Sequence, residues 1–248
     1  MIYVIGTGPG KLSGMTIEAK EALERCDVIV GYKVYIDLLK NDFPSKEFTS
    51  TPMGKEIERC KLCFEYSLSG KTVAMVCSGD AGVYGMAEPS FRLQKENSVY
   101  QNEEIVVLPG VTAALSGAAL LGAPLNHDFC VISLSDLLTP WEMIERRLRA
   151  AVLGDFAIAI YNPSSHHRWD YLQKACKILL EAGASPDTAC GYVKNIGREG
   201  TETHFCTLNE LQFCEADMFT TVFIGNSQSE LFESEKGIKL LTKRGYKL

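Results

Sequence analysis

The chain has 248 residues, 46% of them hydrophobic and 23% charged, with 21 glycines and a formal net charge of −6. This composition excludes disorder and a collagen-like repeat, and the acidic balance argues against nonspecific binding to nucleic acid or to an anionic membrane, since no basic stripe is available to displace counterions from phosphates. No apolar run approaches the ~18 residues of a membrane helix, Met1 to Gly10 lacks a basic stretch ahead of an apolar core, and the nine cysteines are odd in number and sit mostly within apolar runs; a cytoplasmic protein with free thiols is expected.

The first half alternates short β-rich runs with helical segments: 2–6, 16–26, 28–31, 34–39, 55–68, 72–77, 86–96, 105–108 and 111–121. Strand followed by helix, repeated, predicts βαβ units and a mainly parallel sheet. Gly122 to Asp128 (GAPLNHD) interrupts the pattern with a glycine, a proline and polar residues and reads as the connection between two domains, 1–121 and 122–248. The second half resumes with 129–134 and a helix for which Thr139 is the expected N-cap, Pro140 the first helical residue and Glu142 the closing member of a capping box. The elements 156–161, 169–182, 188–194, 204–207 and 220–225 follow, and Thr207 with Glu210 repeats the capping-box spacing. The fold class expected is α/β: two α/β domains with mainly parallel or mixed sheets and a ligand cleft between them.

Three strand ends carry glycine-rich loops. Gly6-Thr7-Gly8-Pro9-Gly10 fails as a dinucleotide fingerprint, because Lys11 holds the third glycine's place and Pro9 removes a backbone donor. It fails as a phosphate-binding P-loop too, with Ile5 and Leu12 at two required positions. A nonphosphate ligand loop and a plain tight turn both remain open readings, since glycines permit close backbone approach and positive φ. Ser78 to Gly85 (SGDAGVYG) follows a second strand, at the edge where open α/β sheets bind ligands. There Asp80 reads either as a carboxylate for a ribose or amino group or as an Asx turn and helix cap. Pro109 to Ala114 (PGVTAA) is the third junction, and its small residues suit tight helix packing as well as a ligand.

Taken in order, GTGPG, SGDAGVYGMA, LPGVTAA, HDFCVISLSDLLTPW and AIAIYNPSS span about 160 residues, and together they closely resemble the tetrapyrrole methylases of cobalamin biosynthesis. The second and fourth look like those of the C-17 methyltransferases acting on precorrin-3B. The resemblance implies two α/β domains, homodimers, and S-adenosylmethionine bound in the inter-domain cleft and released as S-adenosylhomocysteine. By motif position it implies cofactor contacts from Pro9, Gly79, Asp80, Thr112 and Ala113, and from Tyr161, Asn162, Tyr192 and Val193 in the second half. The implied reaction is methyl transfer to C-17 of a corrin-precursor tetrapyrrole, with ring contraction by extrusion of C-20. The alternatives are a methylase of another corrin position, or a noncatalytic S-adenosylmethionine- or tetrapyrrole-binding module.

Ring contraction needs proton movement, and His127, Asp128 and Asp136 are the titratable groups beside the motifs, although a turn-capping role for His127 is the plain alternative. A polyanionic substrate on an acidic protein needs local cations; Lys33, Arg168, Lys194 and Arg198 lie at expected element ends, and Gly8 and Gly10 are the expected backbone contacts. Arg146, Arg147 and Arg149 read as a solvated helix face. Cys60 and Cys63 form a CxxC in mid-helix with no second pair to complete a tetrahedral site, so buried packing is expected and no protein-bound metal. His166 and His167 are adjacent, which makes a poor metal clamp.

Overall fold

A computed structural model describes residues 1–247 of the chain. The chain divides into two compact units, Met1–Ala113 and Ala114–Leu248. The division falls at the start of the small-residue helix rather than at Gly122, where the sequence breaks its pattern.

The first unit runs β1 (Ile2–Gly6), α1 (Ile17–Arg25), β2 (Val28–Tyr32), α2 (Lys33–Leu39), β3 (Glu47–Thr51), α3 (Glu56–Leu68), β4 (Val73–Cys77), α4 (Ala87–Glu96) and β5 (Ile105–Leu108). The strands form one sheet in the order β3-β2-β4-β1-β5, every neighbour parallel. Helices cover both faces, so β4, Val73-Ala74-Met75-Val76-Cys77, is buried throughout and reads as one apolar run. Alternation still sorts the faces: Ile2 and Val4 share a cluster with Cys63 and Phe64 of α3 and Ala87 of α4, and Ile5 packs the other way, with Ala19 and Leu23 of α1. β3 is absent from the sequence reading. It is an edge strand of polar composition, EFTST, paired only with β2.

The second unit begins with α5 (Ala113–Leu121), most of which it holds. It continues with β6 (Gly122–Ala123), β7 (Phe129–Ser133), α6 (Trp141–Leu153), β8 (Ala157–Tyr161), α7 (Tyr171–Glu181), β9 (Ala189–Lys194) and β10 (Glu202–Thr207). Then come α8 (Leu208–Leu211), β11 (Thr220–Ile224), β12 (Ser229–Ser234) and β13 (Gly237–Thr242). Its main sheet has the order β10-β9-β11-β8-β7 and is mixed: β7 and β8 are parallel, and β11 runs antiparallel to both β8 and β9. β7, β8 and β9 therefore point the same way. A small sheet, β12-β13-β6, pairs the C-terminal hairpin with the segment just after α5, Gly122 facing Leu240. That hairpin lies beyond the last element read from the sequence.

Thr207 caps α8 as expected, with Glu210 completing the capping box. Thr139 does not cap α6. Pro140 itself is the N-cap, its carbonyl accepting from Met143 N at 3.0 Å, and no side-chain cap forms. The helix starts one residue later than expected, which moves Glu142 out of the capping-box position.

Candidate active site

In the first unit the three glycine loops leave the carboxyl ends of β1, β4 and β5, which are adjacent in the sheet, and their backbones are joined directly. Gly8 N donates to Gly79 O at 3.0 Å and Gly79 N to Gly8 O at 2.8 Å, an isolated antiparallel bridge. Thr7 Oγ1 donates to Cys77 O at 2.9 Å. Gly8, Gly10 and Gly79 have φ of 71°, 144° and 70°, where a side chain is strained. At Gly110 a Cβ would lie 2.1 Å from Gly79 O, so the second and third loops touch backbone to backbone.

Asp80 ties the loops together. Its Oδ1 accepts from Gly82 N at 2.7 Å and Val83 N at 3.1 Å, an Asx turn, and its Oδ2 accepts from Gly110 N at 2.9 Å in the third loop. Thr112 and Ala113 stand against Gly79, 3.5 and 3.7 Å from the position of a Cβ there, and the ring of Pro9 packs over Gly14. The structure thus brings Gly8, Gly79, Asp80, Thr112 and Ala113 together in one glycine-lined cradle at the carboxyl ends of β1, β4 and β5, with Pro9 and Gly10 following Gly8 in the first loop. A side chain at Gly79 would project toward Thr112 and Ala113 and narrow it.

In the second unit the common direction of β7, β8 and β9 sets the expected residues at opposite ends of the sheet. At the carboxyl end lie Tyr161, Asn162, Lys194 and, after β7, Asp136. Tyr161 Oη accepts from Ala114 N at 2.7 Å. Asn162, with φ 52°, donates from Nδ2 to Ser133 Oγ at 2.9 Å. Asp136 Oδ2 accepts from Tyr171 Oη at 2.7 Å, and Oδ1 is 3.7 Å from Arg168 Nη1. Arg168 also donates to Ser135 Oγ at 2.6 Å and Ser165 Oγ at 3.0 Å. This places Arg168 against an acid of its own unit. The bond to Asp136 raises the Tyr171 pKa above the ordinary phenol value.

His127 and Asp128 precede β7 and so sit at the other end of the sheet, where Asp128 O accepts from Ala157 N. A strand of this length puts them on the order of 15 Å from Asp136. They line a polar cavity of about 220 Å³ with Leu125, Asn126 and Arg244. There His127 Nδ1 accepts from Asp128 N at 2.8 Å. The three titratable candidates are not brought together.

The remaining expected residues are dispersed. Lys33 Nζ is paired with Asp37 at 2.6 Å on the surface of α2. Lys194 Nζ lies 6.0 Å over the Tyr192 ring, and the Arg198 guanidinium 5.1 Å over Phe219. Tyr192 points into the core of the second unit and stacks on His204 at 4.6 Å, leaving its backbone as the part a ligand could meet; Val193 is fully buried on the opposite face of β9. Cys60 and Cys63 are buried in α3, and burial raises both thiols. Among the described residues no group of three or more His, Cys, Asp or Glu is placed to hold a metal, and no helix is long and apolar enough to cross a membrane.

Sequence reasoning missed Tyr171 and the serines around Arg168, which carry no spacing signal, and it missed Arg59. Arg59 did leave one: residues 59, 60, 63, 64 and 67 form the buried stripe of α3, and a cation at such a position is unusual.

Two strand-end constellations on two α/β units define a class, and comparison with known families identifies it. The model of the Tetrapyrrole (Corrin/Porphyrin) Methylases matches residues 1–212, and the chain belongs to that family. It is 44% identical over 248 residues to a probable cobalt-factor III C(17)-methyltransferase of Salmonella typhimurium, covering 100% of both chains. It is 39% identical over 236 residues to a precorrin-3B C(17)-methyltransferase of Sinorhizobium sp., covering 94% of this chain and 92% of the relative. The solved structure of the methyltransferase CobJ superposes with a TM-score of 0.87 at 34% identity, covering 96% of this chain and 98% of that one.

Proposed function

We infer that this chain is an S-adenosylmethionine-dependent C-methyltransferase of cobalamin biosynthesis, which methylates C-17 of a corrin precursor as the ring contracts. The observation that carries the reading is the preformed cradle of the first unit, in which Gly8, Gly79 and Gly110 meet backbone to backbone and Asp80 holds three amides. The full-length relatives named for C-17 methylation support the same reaction.

The cofactor supplies a methyl group already activated as a sulfonium, so the protein's task in that step is alignment and exclusion of water. Pro9, Gly79, Thr112 and Ala113 are proposed to contact it, and Asp80 to keep the loops in register around it. Tyr161, Asn162, Val193 and the backbone of Tyr192 are the contacts proposed from the second unit, with Gly8, Gly10, Lys194 and Arg198 for the macrocycle. Ring contraction needs a group that can move a proton, and Asp136, at the carboxyl end of β7 and held by Tyr171 and Arg168, is assigned that role ahead of His127. A cytoplasmic homodimer without a protein-bound metal completes the reading, and sedimentation and metal analysis of the purified protein test those parts.

Of the two precursor types, the cobalt complex is favoured, because the relative matched at 44% over its whole length carries that name. The test is incubation with methyl-labelled S-adenosylmethionine and, separately, the cobalt-bound and metal-free trimethylated precursors, reading label and product mass. Label in the cobalt complex with the mass of a contracted ring supports the assignment. Label only in the metal-free precursor moves it to the other substrate, and label in neither, with S-adenosylhomocysteine binding confirmed, overturns the C-17 reading.

A further inference from the structure

The buried stripe of α3 consists of Arg59, Cys60, Cys63, Phe64 and Ser67. Four of these suit a core; the fifth is a guanidinium only 4% exposed. Its Nε donates to Thr51 Oγ1 at 2.9 Å and its Nη2 to Pro52 O at 3.2 Å, and Nη1 lies 3.5 Å from the Met86 thioether. All three acceptors are neutral, and sulfur is a weak one. Three contacts leave two of the five guanidinium N–H groups without a protein acceptor. Among the described residues no carboxylate forms an ion pair with it, in contrast to Arg149 and Arg168.

A buried cation is costly unless something negative faces it. The thiols whose ionisation its charge favours, Cys60, Cys63 and Cys77, cannot serve, because burial keeps them protonated; Cys77 is pushed up to about 12. The position matters as much as the charge. Thr51 ends β3, and Met86 closes the loop that follows β4, so the guanidinium lies at the carboxyl end of the sheet, beside the Ser78 to Gly85 loop. The loops that hold its partners reach the surface within two residues, at Met53 and Tyr84, which are 55% and 58% exposed. Lys33, another cation at that end, is already paired with an acid.

We propose that Arg59 is a substrate-binding residue whose guanidinium takes a peripheral carboxylate of the macrocycle at the carboxyl end of β3 and β4. The proposal rests on the tetrapyrrole reading above and extends it to a residue outside the glycine loops. A bidentate arginine–carboxylate pair would use the two remaining N–H groups while Thr51 and Pro52 hold the side chain in place.

The test compares the unmodified protein with Arg59→Gln and Arg59→Lys, on the natural macrocycle and on its carboxyl methyl esters. Arg59→Gln is expected to raise KM for the macrocycle roughly 10- to 100-fold, to leave S-adenosylhomocysteine affinity within about twofold, and to respond little to esterification, whereas the unmodified protein loses affinity for the esters. Arg59→Lys should recover part of the loss. An unchanged KM, or equal sensitivity of both proteins to esterification, overturns the proposal. If Arg59→Gln does not fold, the Nε–H resonance of Arg59 in the unmodified protein, assigned through its contacts to Thr51 and Met86, is followed as macrocycle is added. A shift supports the contact, and an unmoved resonance at saturation overturns it. Failure of methyl transfer in the unmodified protein would sink the C-17 reading instead, and the resonance still decides the carboxylate contact.

Discussion

Asp80 holds two loops through three backbone donors. Hydrogen bonds to a charged acceptor contribute more than neutral ones, so Asp80→Ala should lower stability by about 2–4 kcal/mol and weaken S-adenosylhomocysteine binding, read by calorimetry. Asp80→Asn, which cannot accept from Gly110 if its amide nitrogen takes the Oδ2 place, should fall between. The motif was legible in sequence, but which of its two readings applies was not: the Asx turn is present, and the tie to Gly110, 30 residues away, has no local signature. The buried thiols make a second residue-scale expectation. Cys77 and Cys176 are both raised by burial from 9.0 to about 12. The neutral thiol is favoured in the native state, so this stabilisation is complete below about pH 9 and is lost as the pH rises toward the folded values. Thermal melts between pH 8 and 11 should show a falling midpoint, and replacing Cys77 with Ala should flatten the fall.

At the scale of elements, β7 separates the titratable candidates. Asp136→Asn is therefore expected to slow formation of the contracted product at least ~100-fold, while His127→Ala changes it less than about threefold, in steady-state assays under saturating cofactor; the reverse order would move the proton chemistry to the His127 cavity. α5 offers a packing test. A Cβ at Gly117 would stand 2.8 Å from the Phe223 ring and 2.9 Å from Ile196, so Gly117→Ala should destabilise the second unit by about 1–3 kcal/mol in denaturant titrations. The long, periodic helices and the buried strands were readable from hydrophobic pattern. β3, β12 and β13 were not, because β3 and β12 are largely polar edge strands, EFTST and SELFES, and β13, GIKLLT, has its first three residues exposed and no regular apolar alternation.

For the molecule as a whole, a net charge of −6 and the carboxylate-bearing macrocycle proposed as substrate would repel one another at long range, and such forces are screened within about 8–10 Å at physiological salt. Recognition through a buried guanidinium is screened far less. kcat/KM should accordingly rise modestly as ionic strength increases from about 0.01 to 0.15 M, and a steep fall would show that exposed lysines and arginines do the binding. The succession of glycine loops made the family readable from sequence, because such loops are contiguous in the chain. The candidate site was readable only in part, since Arg59 with Thr51 and Met86, or Asp136 with Arg168 and Tyr171, meet only after folding.

The pairing of β6 with β13 bears on how the protein is made. A ribosome releases Gly122 and Ala123 more than a hundred residues ahead of their partners Leu240 and Leu241, an interval of roughly ten seconds. All five strands of the first unit, by contrast, have left the exit tunnel well before. The nascent chain is thus expected to hold one finished sheet and one waiting segment, and the second unit acquires its last ladder only late in synthesis. Arrested nascent chains cut between β11 and β12 should resist protease up to Ala113 and remain cleavable around Gly122.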